Sequence, residues 1–427
     1  MESLVLPAQA AADIRNLLDA ACTGQPSDMP CASAVVVGAG SQPELFAHTT
    51  TAAAGRKGSE GRGDIYWLAS CTKLITSIAC MQLVEGSVLS LDDADQLEGL
   101  CPELANLKVA QEDGSLVPAR SRITLRMLLT HTAGFGYSFL NPKLQAYCKA
   151  HRAGGANFNE FSGHMEDLVQ PLVNQPGETF EYGISMDWAG LAVERATGLK
   201  LGDYMQRHIF EPLGIRDLAM VPSVEMKERL AGMWQRDEEG RLSPRTLLLS
   251  RPLGPDAVDN FHSGGAGLFG SIREFGSLSF PEILAMLLRD GSSPSGKVIL
   301  EPDTVKAMFI NQLAWLPNFA RRHLPAVKPE LVYVAEALYP PCPPPTPQGW
   351  GLGFMITPGP TGRSDTTGHW SGLSNVFWWC DRERGVAGVV ASQLLPFADL
   401  KVVELWMGVE SKVYESIENG VQATSKQ

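Results

Sequence analysis

The chain has 427 residues, 44% of them hydrophobic and 19% charged, with a formal net charge of -12. That balance excludes an intrinsically disordered chain and leaves enough apolar residues for a large buried core. The acidic surplus argues against a general nucleic-acid binder or a protein held on anionic membranes, since both need basic surfaces.

No apolar run reaches the roughly 20 residues of a membrane-spanning helix. Met1 to Leu18 carries acidic Glu2 and no basic start, so it is not read as a secretory signal. Eight cysteines, at 22, 31, 71, 80, 101, 148, 342 and 380, are scattered with no C-x-x-C pair, which fits reduced thiols in a cytoplasmic protein. Eight histidines show neither H-x-x-x-H nor H-E-x-x-H spacing, so no metal is expected, and no other cofactor is implied.

From the N-terminus, Ala8 to Ala21 reads as an amphipathic helix, Ala32 to Val37 as a strand, and Glu44 to His48 as a second strand. Gly55 to Gly63 is a polar, Gly-rich loop without a phosphate-binding pattern. The stretch Asp64 to Gly86 carries the strongest chemical signal in the chain. Ile65-Tyr66-Trp67-Leu68 is extended and apolar, and Leu74, Ile75, Ile78, Met81 and Leu83 then keep the spacing of a buried helix that Gly86 can stop. Ser70 and Lys73 lie one turn apart at the helix start and share a face. A hydroxyl beside an amine lets a Ser–Lys enzyme work without histidine. Apolar flanks place the lysine near the interior, where an unpaired ammonium is costly. From this segment alone, a catalytic pair and a structural helix start are both open.

Thr124 is expected to cap a helix built on Leu125, Leu128 and Leu129 and ended by Gly134. His131, at the end of that helix, is expected to cap carbonyls rather than act as a base. Gln175 to Trp188 combines a Pro-Gly turn, a short aromatic strand and the start of a helix that continues to Gly198. Tyr182 falls between these ordered elements, where catalytic groups tend to sit. Leu201 to Phe210, Phe280 to Leu288 and Pro302 to Phe309 read as further helices. Gly264-Gly265-Ala266-Gly267 permits close backbone approach. Ala314 to Gly349, with Arg321-Arg322 and Pro340 to Pro345, reads as a long surface loop. Trp350 to Ile356, Gly368 to Trp379 and Gly385 to Ala391 are short strand-like segments, and Leu400 to Ile417 is a closing helix. The expected class is α/β (α+β): an antiparallel sheet flanked by helices in a single unit, 1–427. Residues 1–88 and 350–427 would form the sheet lobe, and 89–349 an inserted, mostly helical lobe with a Pro-rich loop at about 314–349.

Taken in order, these stretches resemble the serine β-lactamase-like superfamily of penicillin-binding proteins, AmpC-type β-lactamases and their esterase and acyltransferase relatives. Ser70-Cys71-Thr72-Lys73 is similar to the nucleophile motif, Leu128 to Gly134 to the family's Leu-Thr-His-Thr-x-Gly segment, and Tyr182 to the tyrosine of the second motif. Glu194 to Gly198, Pro212-Leu213-Gly214 and Gly264 to Leu268 match further landmarks, and His369-Trp370-Ser371-Gly372 falls at the third motif. Thr124 to Phe135 continuing through Tyr137 to Pro142, together with Glu181-Tyr182 and Met186 to Gly190, resembles most the fungal lovastatin-type side-chain acyltransferases and the family VIII esterases. Ile184 stands where Tyr-x-Asn has its asparagine, and His369 where the third motif has lysine, so activity on β-lactams is not expected.

The resemblance implies a β-lactamase/transpeptidase-like fold and acyl transfer through an ester on Ser70. Lys73 and Tyr182 would handle the protons, with the base not assigned between them. The oxyanion would rest against the Ser70 N–H and a strand N–H near Gly372 in the His369 motif. Trp188, Trp350 and Trp370 would line the cleft. The donor would be a small-molecule ester or thioester, coenzyme A and carrier-protein thioesters included, with Arg321-Arg322 as docking charges. The acceptor would be an alcohol in secondary metabolism. Water in its place makes a carboxylesterase, and a non-catalytic binding member is the third reading.

Overall fold

The computed structural model describes residues 4–23, 28–51, 64–255, 257, 260–274, 277–319, 326–333 and 348–424. Gly55 to Gly63, Arg321-Arg322 and Pro340 to Pro345 lie outside the described residues. Helix α1 (Ala8–Thr23) leads into strands β1 (Cys31–Gly38) and β2 (Glu44–Thr51). Strand β3 (Ile65–Trp67) enters the helical turn Ala69–Cys71 and helix α2 (Thr72–Glu85). The middle of the chain supplies α3 (Leu125–Leu129), α4 (Ser185–Thr197), β4 (Leu218–Ala219), β5 (Phe269–Ser271) and α5 (Phe280–Leu288). The C-terminal part adds β6 (Gly349–Trp350), β7 (Met355–Ile356), β8 (Gly368–Gly372), β9 (Val376–Asp381), β10 (Val386–Ala391) and α6 (Leu400–Thr424).

Seven strands form one sheet in the order β6-β7-β8-β9-β10-β1-β2, and every neighbouring pair is antiparallel. The first strand of the chain therefore pairs with one of the last, Val35 opposite Val389. Both faces are covered. Ala32, Ala34 and Val36 of β1 and Phe377 and Trp379 of β9 join Ile14, Leu18, Val403, Trp406 and Val409 of α1 and α6 in one cluster. The alternate residues Val35, Val37, Val376 and Trp378 join Ile283, Leu284 and Leu287 of α5 and the α2 residues in the other. Side chains on a strand alternate between faces, so two covered faces need the near-continuous apolar runs seen in Cys31–Gly38 and Val376–Asp381. Helix α2 is buried at every position from Thr72 to Met81, as expected of a helix running through a core.

Several expectations change. Strand β3 pairs with β5, which also pairs with β4, in a separate three-stranded sheet. The 89–349 region also holds the hairpins Lys108–Ala110/Leu116–Pro118 and Met233–Arg236/Leu242–Arg245, so it is less helical than its apolar periodicity implied. Trp350 to Ile356 is not one strand but a hairpin, β6 and β7, turning where Gly353 adopts φ 101°. Part of the expected surface loop is interior. Leu331 and Val332 are buried, and Val332 bridges to Phe397.

Candidate active site

Ser70 sits at a sharp corner. Leu68 N–H donates to Leu268 O at 2.9 Å, and Ala69 takes a left-handed φ of 45° that turns the strand into the helix. An alanine in that region costs about 1 kcal/mol or more, strain of the kind found at functional corners. Thr72 pins the corner, since its Oγ1 donates to Ala69 O at 2.6 Å and accepts from Leu268 N at 3.0 Å.

Lys73 follows one turn later and is fully buried. Its Nζ donates to Ser70 Oγ at 3.0 Å, Tyr137 Oη at 3.1 Å and Gly265 O at 2.8 Å. Three ammonium protons thus meet three acceptors, which is the condition for tolerating a buried lysine. The Tyr182 ring centroid lies 4.8 Å from Nζ, within cation–π range.

The sequence pointed to Tyr182, but the tyrosine bonded to Lys73 is Tyr137. Burial, then Tyr182, Asp187 and Glu160, hold the Tyr137 hydroxyl well above its ordinary value, so it stays protonated. Tyr182 Oη accepts instead from Trp370 Nε1 at 3.0 Å, and its ring is wedged against Tyr137, His131 and Trp370 at centroid distances of 5.4, 4.8 and 5.0 Å. His131 caps no carbonyl with its side chain. It lies past α3 with φ 54°, and its Nδ1 accepts from Gly183 N–H at 3.4 Å beside Tyr182. Burial, reinforced by Lys73, holds its imidazole well below the usual range and therefore neutral.

The third motif brings strand β8 to the corner. A Cβ on Gly372 would lie 2.3 Å from Leu68 O, so glycine is what lets the strand approach this closely. Trp370 and Ser371 face the site, but His369 does not. Its Nε2 pairs with Thr357 Oγ1 at 2.8 Å, and burial, with Arg363 nearby, keeps the ring uncharged. Above Ser70 opens a narrow pocket. Tyr137, Tyr182, Trp370 and Ser371 share its wall with apolar Phe139, Phe161, Val332, Leu373 and Phe397, and no charged side chain lines it among the described residues. Of the three expected tryptophans only Trp370 lines this cavity. Trp188 is buried against Phe135, and Trp350 supports Trp370 from behind while its Nε1 donates to Leu129 O at 3.0 Å.

Among the described residues, no group of three or more His, Cys, Asp or Glu could hold a metal ion, and no helix is long and apolar enough to cross a membrane. Among the described residues, seven cysteines are free and buried.

The antiparallel sheet with helices on both faces is a fold of the β-lactamase/transpeptidase type. Residues 20–405 match the family model described as Beta-lactamase, and the chain belongs to that family. It is 36% identical to lovastatin esterase of Penicillium rubens over 375 residues, covering 82% of this chain and 86% of that protein. It is 32% identical to monacolin J acid methylbutanoyltransferase of Aspergillus terreus over 368 residues, covering 83% and 82%. A solved variant of simvastatin synthase from Aspergillus terreus superposes with a TM-score of 0.77 at 28% identity, over 98% of this chain and all of that one. The protein is thus an enzyme of the acyltransferase and esterase type within the family.

Proposed function

We propose that this enzyme moves an acyl group from an ester or thioester to an alcohol through an ester on Ser70. The observation that carries the reading is the Lys73 Nζ bonded to Ser70 Oγ at the base of an uncharged cavity. Ser70 Oγ attacks the donor carbonyl and its proton passes to the Lys73–Tyr182 pair in the form one proton short, an amine beside a phenol or an ammonium beside a phenolate. The oxyanion is received by the Ser70 N–H, which has no partner within its own first turn, and by an N–H at the Gly372 end of β8. Tyr182 returns the proton to the leaving group and takes one from the incoming alcohol. The Trp370 N–H on its Oη and the Lys73 ammonium at its ring both favour negative charge on that oxygen in transit.

The apolar wall suits an uncharged acyl group, in keeping with a methylbutanoyltransferase as a relative. We read the donor as a small thioester, on coenzyme A or a carrier protein, and the acceptor as a secondary-metabolite alcohol handled in the cytoplasm, where free buried thiols persist. β-Lactams are disfavoured because buried Ile184 offers no amide and the His369 side chain is turned to Thr357. Hydrolysis is the second reading, favoured by the 36% identity to an esterase.

Turnover of p-nitrophenyl esters and short acyl thioesters, with and without alcohols, tests both readings. Ser70→Ala is expected to abolish all turnover, and full activity in that variant would remove the proposal. Alcohols that outcompete water for the acyl group favour transfer, whereas product acid at every alcohol concentration favours hydrolysis.

A further inference from the structure

Lys73 has a second connection that acyl transfer by itself does not call for. The Gly265 carbonyl that accepts its Nζ shares a peptide unit with the Ala266 N–H, which donates to Ser263 Oγ at 2.9 Å. Ser263 Oγ in turn donates to Asp187 Oδ1 at 2.5 Å. Each donor in this series points from the ammonium toward the carboxylate, so each bond polarises the next. The Gly265 N–H closes onto the same Oδ1 at 3.1 Å.

Packing fixes both ends of this chain of bonds. Asp187 stands in the first turn of α4, 3% exposed. A Cβ on Gly265 would lie 2.5 Å from Asp187 Oδ2, so the turn rests directly on the carboxylate. From the opposite side Thr76 of α2 donates to Gly264 O at 2.8 Å. The 263–267 turn is therefore clamped between the helix that carries Lys73 and the helix that follows Tyr182.

We propose that Asp187 and Ser263 are positioning residues for acyl transfer, which act through the Gly265–Ala266 peptide to anchor the Lys73 Nζ and strengthen its hold on a proton. The proposal rests on the reading of Lys73 as a group that takes the Ser70 proton. The titratable groups facing Lys73 are Cys71 on its own turn, His131 and Tyr137 from the segment after α3, Tyr182 before α4, and Asp187 on α4, with Glu160 behind Tyr137. His131 stays neutral and Tyr137 stays protonated, and of the two carboxyls in this set Asp187 is the one on which the hydrogen-bond chain from Lys73 ends, Glu160 being bonded to Ser138 and Gln170. Burial holds the Asp187 carboxyl above its ordinary value, and Lys73 leads the influences that oppose this rise, ahead of Ser263 and the Gly265 N–H.

The test is the pH dependence of pre-steady-state acylation by a p-nitrophenyl ester in the full-length enzyme. Asp187→Asn is expected to move the acid limb to lower pH by about one unit, because an ammonium without its counter-charge loses its proton more readily. Ser263→Ala is expected to move it in the same direction by less, Ser263→Thr to restore it, and the double variant to add little to Asp187→Asn. A merely structural role would lower rate or stability and leave the limb in place. An unmoved limb in folded Asp187→Asn overturns the proposal, as does a wild type with no acid limb between about pH 5 and 9. Where Asp187→Asn does not fold, an unmoved limb in Ser263→Ala overturns it. A wild type that forms no Ser70 ester removes this proposal together with the reading beneath it, whereas a Ser70 ester with a fixed limb removes the positioning role alone.

Discussion

A lysine ammonium has three protons to place, and Lys73 places them on Ser70, Tyr137 and Gly265. Removing the Tyr137 hydroxyl leaves one of those protons without an acceptor in a buried site. Hydrogen bonds to charged groups are worth about 1.5–3 kcal/mol, so Tyr137→Phe is expected to slow Ser70 acylation by roughly 10- to 100-fold. The loss should appear in the acylation rate rather than in KM, measured by stopped-flow release of p-nitrophenolate. An unchanged acylation rate would show that Tyr137 only fills space. Ser70, Lys73 and Tyr182, which the structure brings together, could be singled out as candidates because a Ser-x-x-Lys pair at a buried helix start and a tyrosine between ordered elements carry their own local signals. Tyr137 carries none, since it reaches Lys73 from 64 positions away through a loop whose path depends on tertiary packing. Trp188 misled for the converse reason. A tryptophan beside a motif can as readily be core, and this one stacks on Phe135.

At the scale of elements, the site is a meeting of the β3–α2 corner with the end of β8. The closest point is Gly372 against Leu68 O. Gly372→Ala must push the strand away from the corner and so spoil the alignment of the N–H groups on either side of the proposed oxyanion site. Loss of one such donor costs on the order of 10²- to 10³-fold in rate, so this variant is expected to lose acylation to about that degree while keeping the far-UV circular dichroism of the wild type. Near-normal acylation would place the oxyanion elsewhere. Elements with strong periodicity and clear ends were legible from sequence. Phe280–Leu288 has the expected bounds, Thr124 accepts from Met127 N–H as an N-cap, and Gly198 closes α4 at φ 71°. Trp350 to Ile356 was not, because an apolar run broken by glycines reads alike as one strand or as a tight hairpin. His131 departed from its expected capping role because the chain leaves α3 in a left-handed conformation and turns the ring toward Tyr182.

Across the whole molecule, the sheet that supports the site is closed by the two ends of the chain, with β1 beside β10. The antiparallel class was legible because strand-like segments stand at both ends of the sequence; the pairing order was not, because it is set by contacts more than 300 residues apart. The same burial makes several histidines reporters of folding. His262 is pushed down to about 4 by burial first and Lys200 second, and His131 and His369 are also held well below their ordinary value. A depressed folded value means that the unfolded chain binds protons the native state refuses, so this stability is present above about pH 6.5 and is lost as pH falls. For His369→Gln, the stability gap from wild type should therefore narrow by up to about 1.4 kcal/mol per pH unit below pH 6.5, as measured by urea melts. A gap independent of pH would mean that His369 is protonated in the native state. The central claim, a covalent acyl group on Ser70, is tested most directly by quenching the enzyme with a short acyl thioester and mapping the adduct by peptide mass. One acyl group on Ser70, absent from Ser70→Ala, is the predicted result; turnover with no adduct on Ser70, or an adduct on another residue that alone supports turnover, would contradict it.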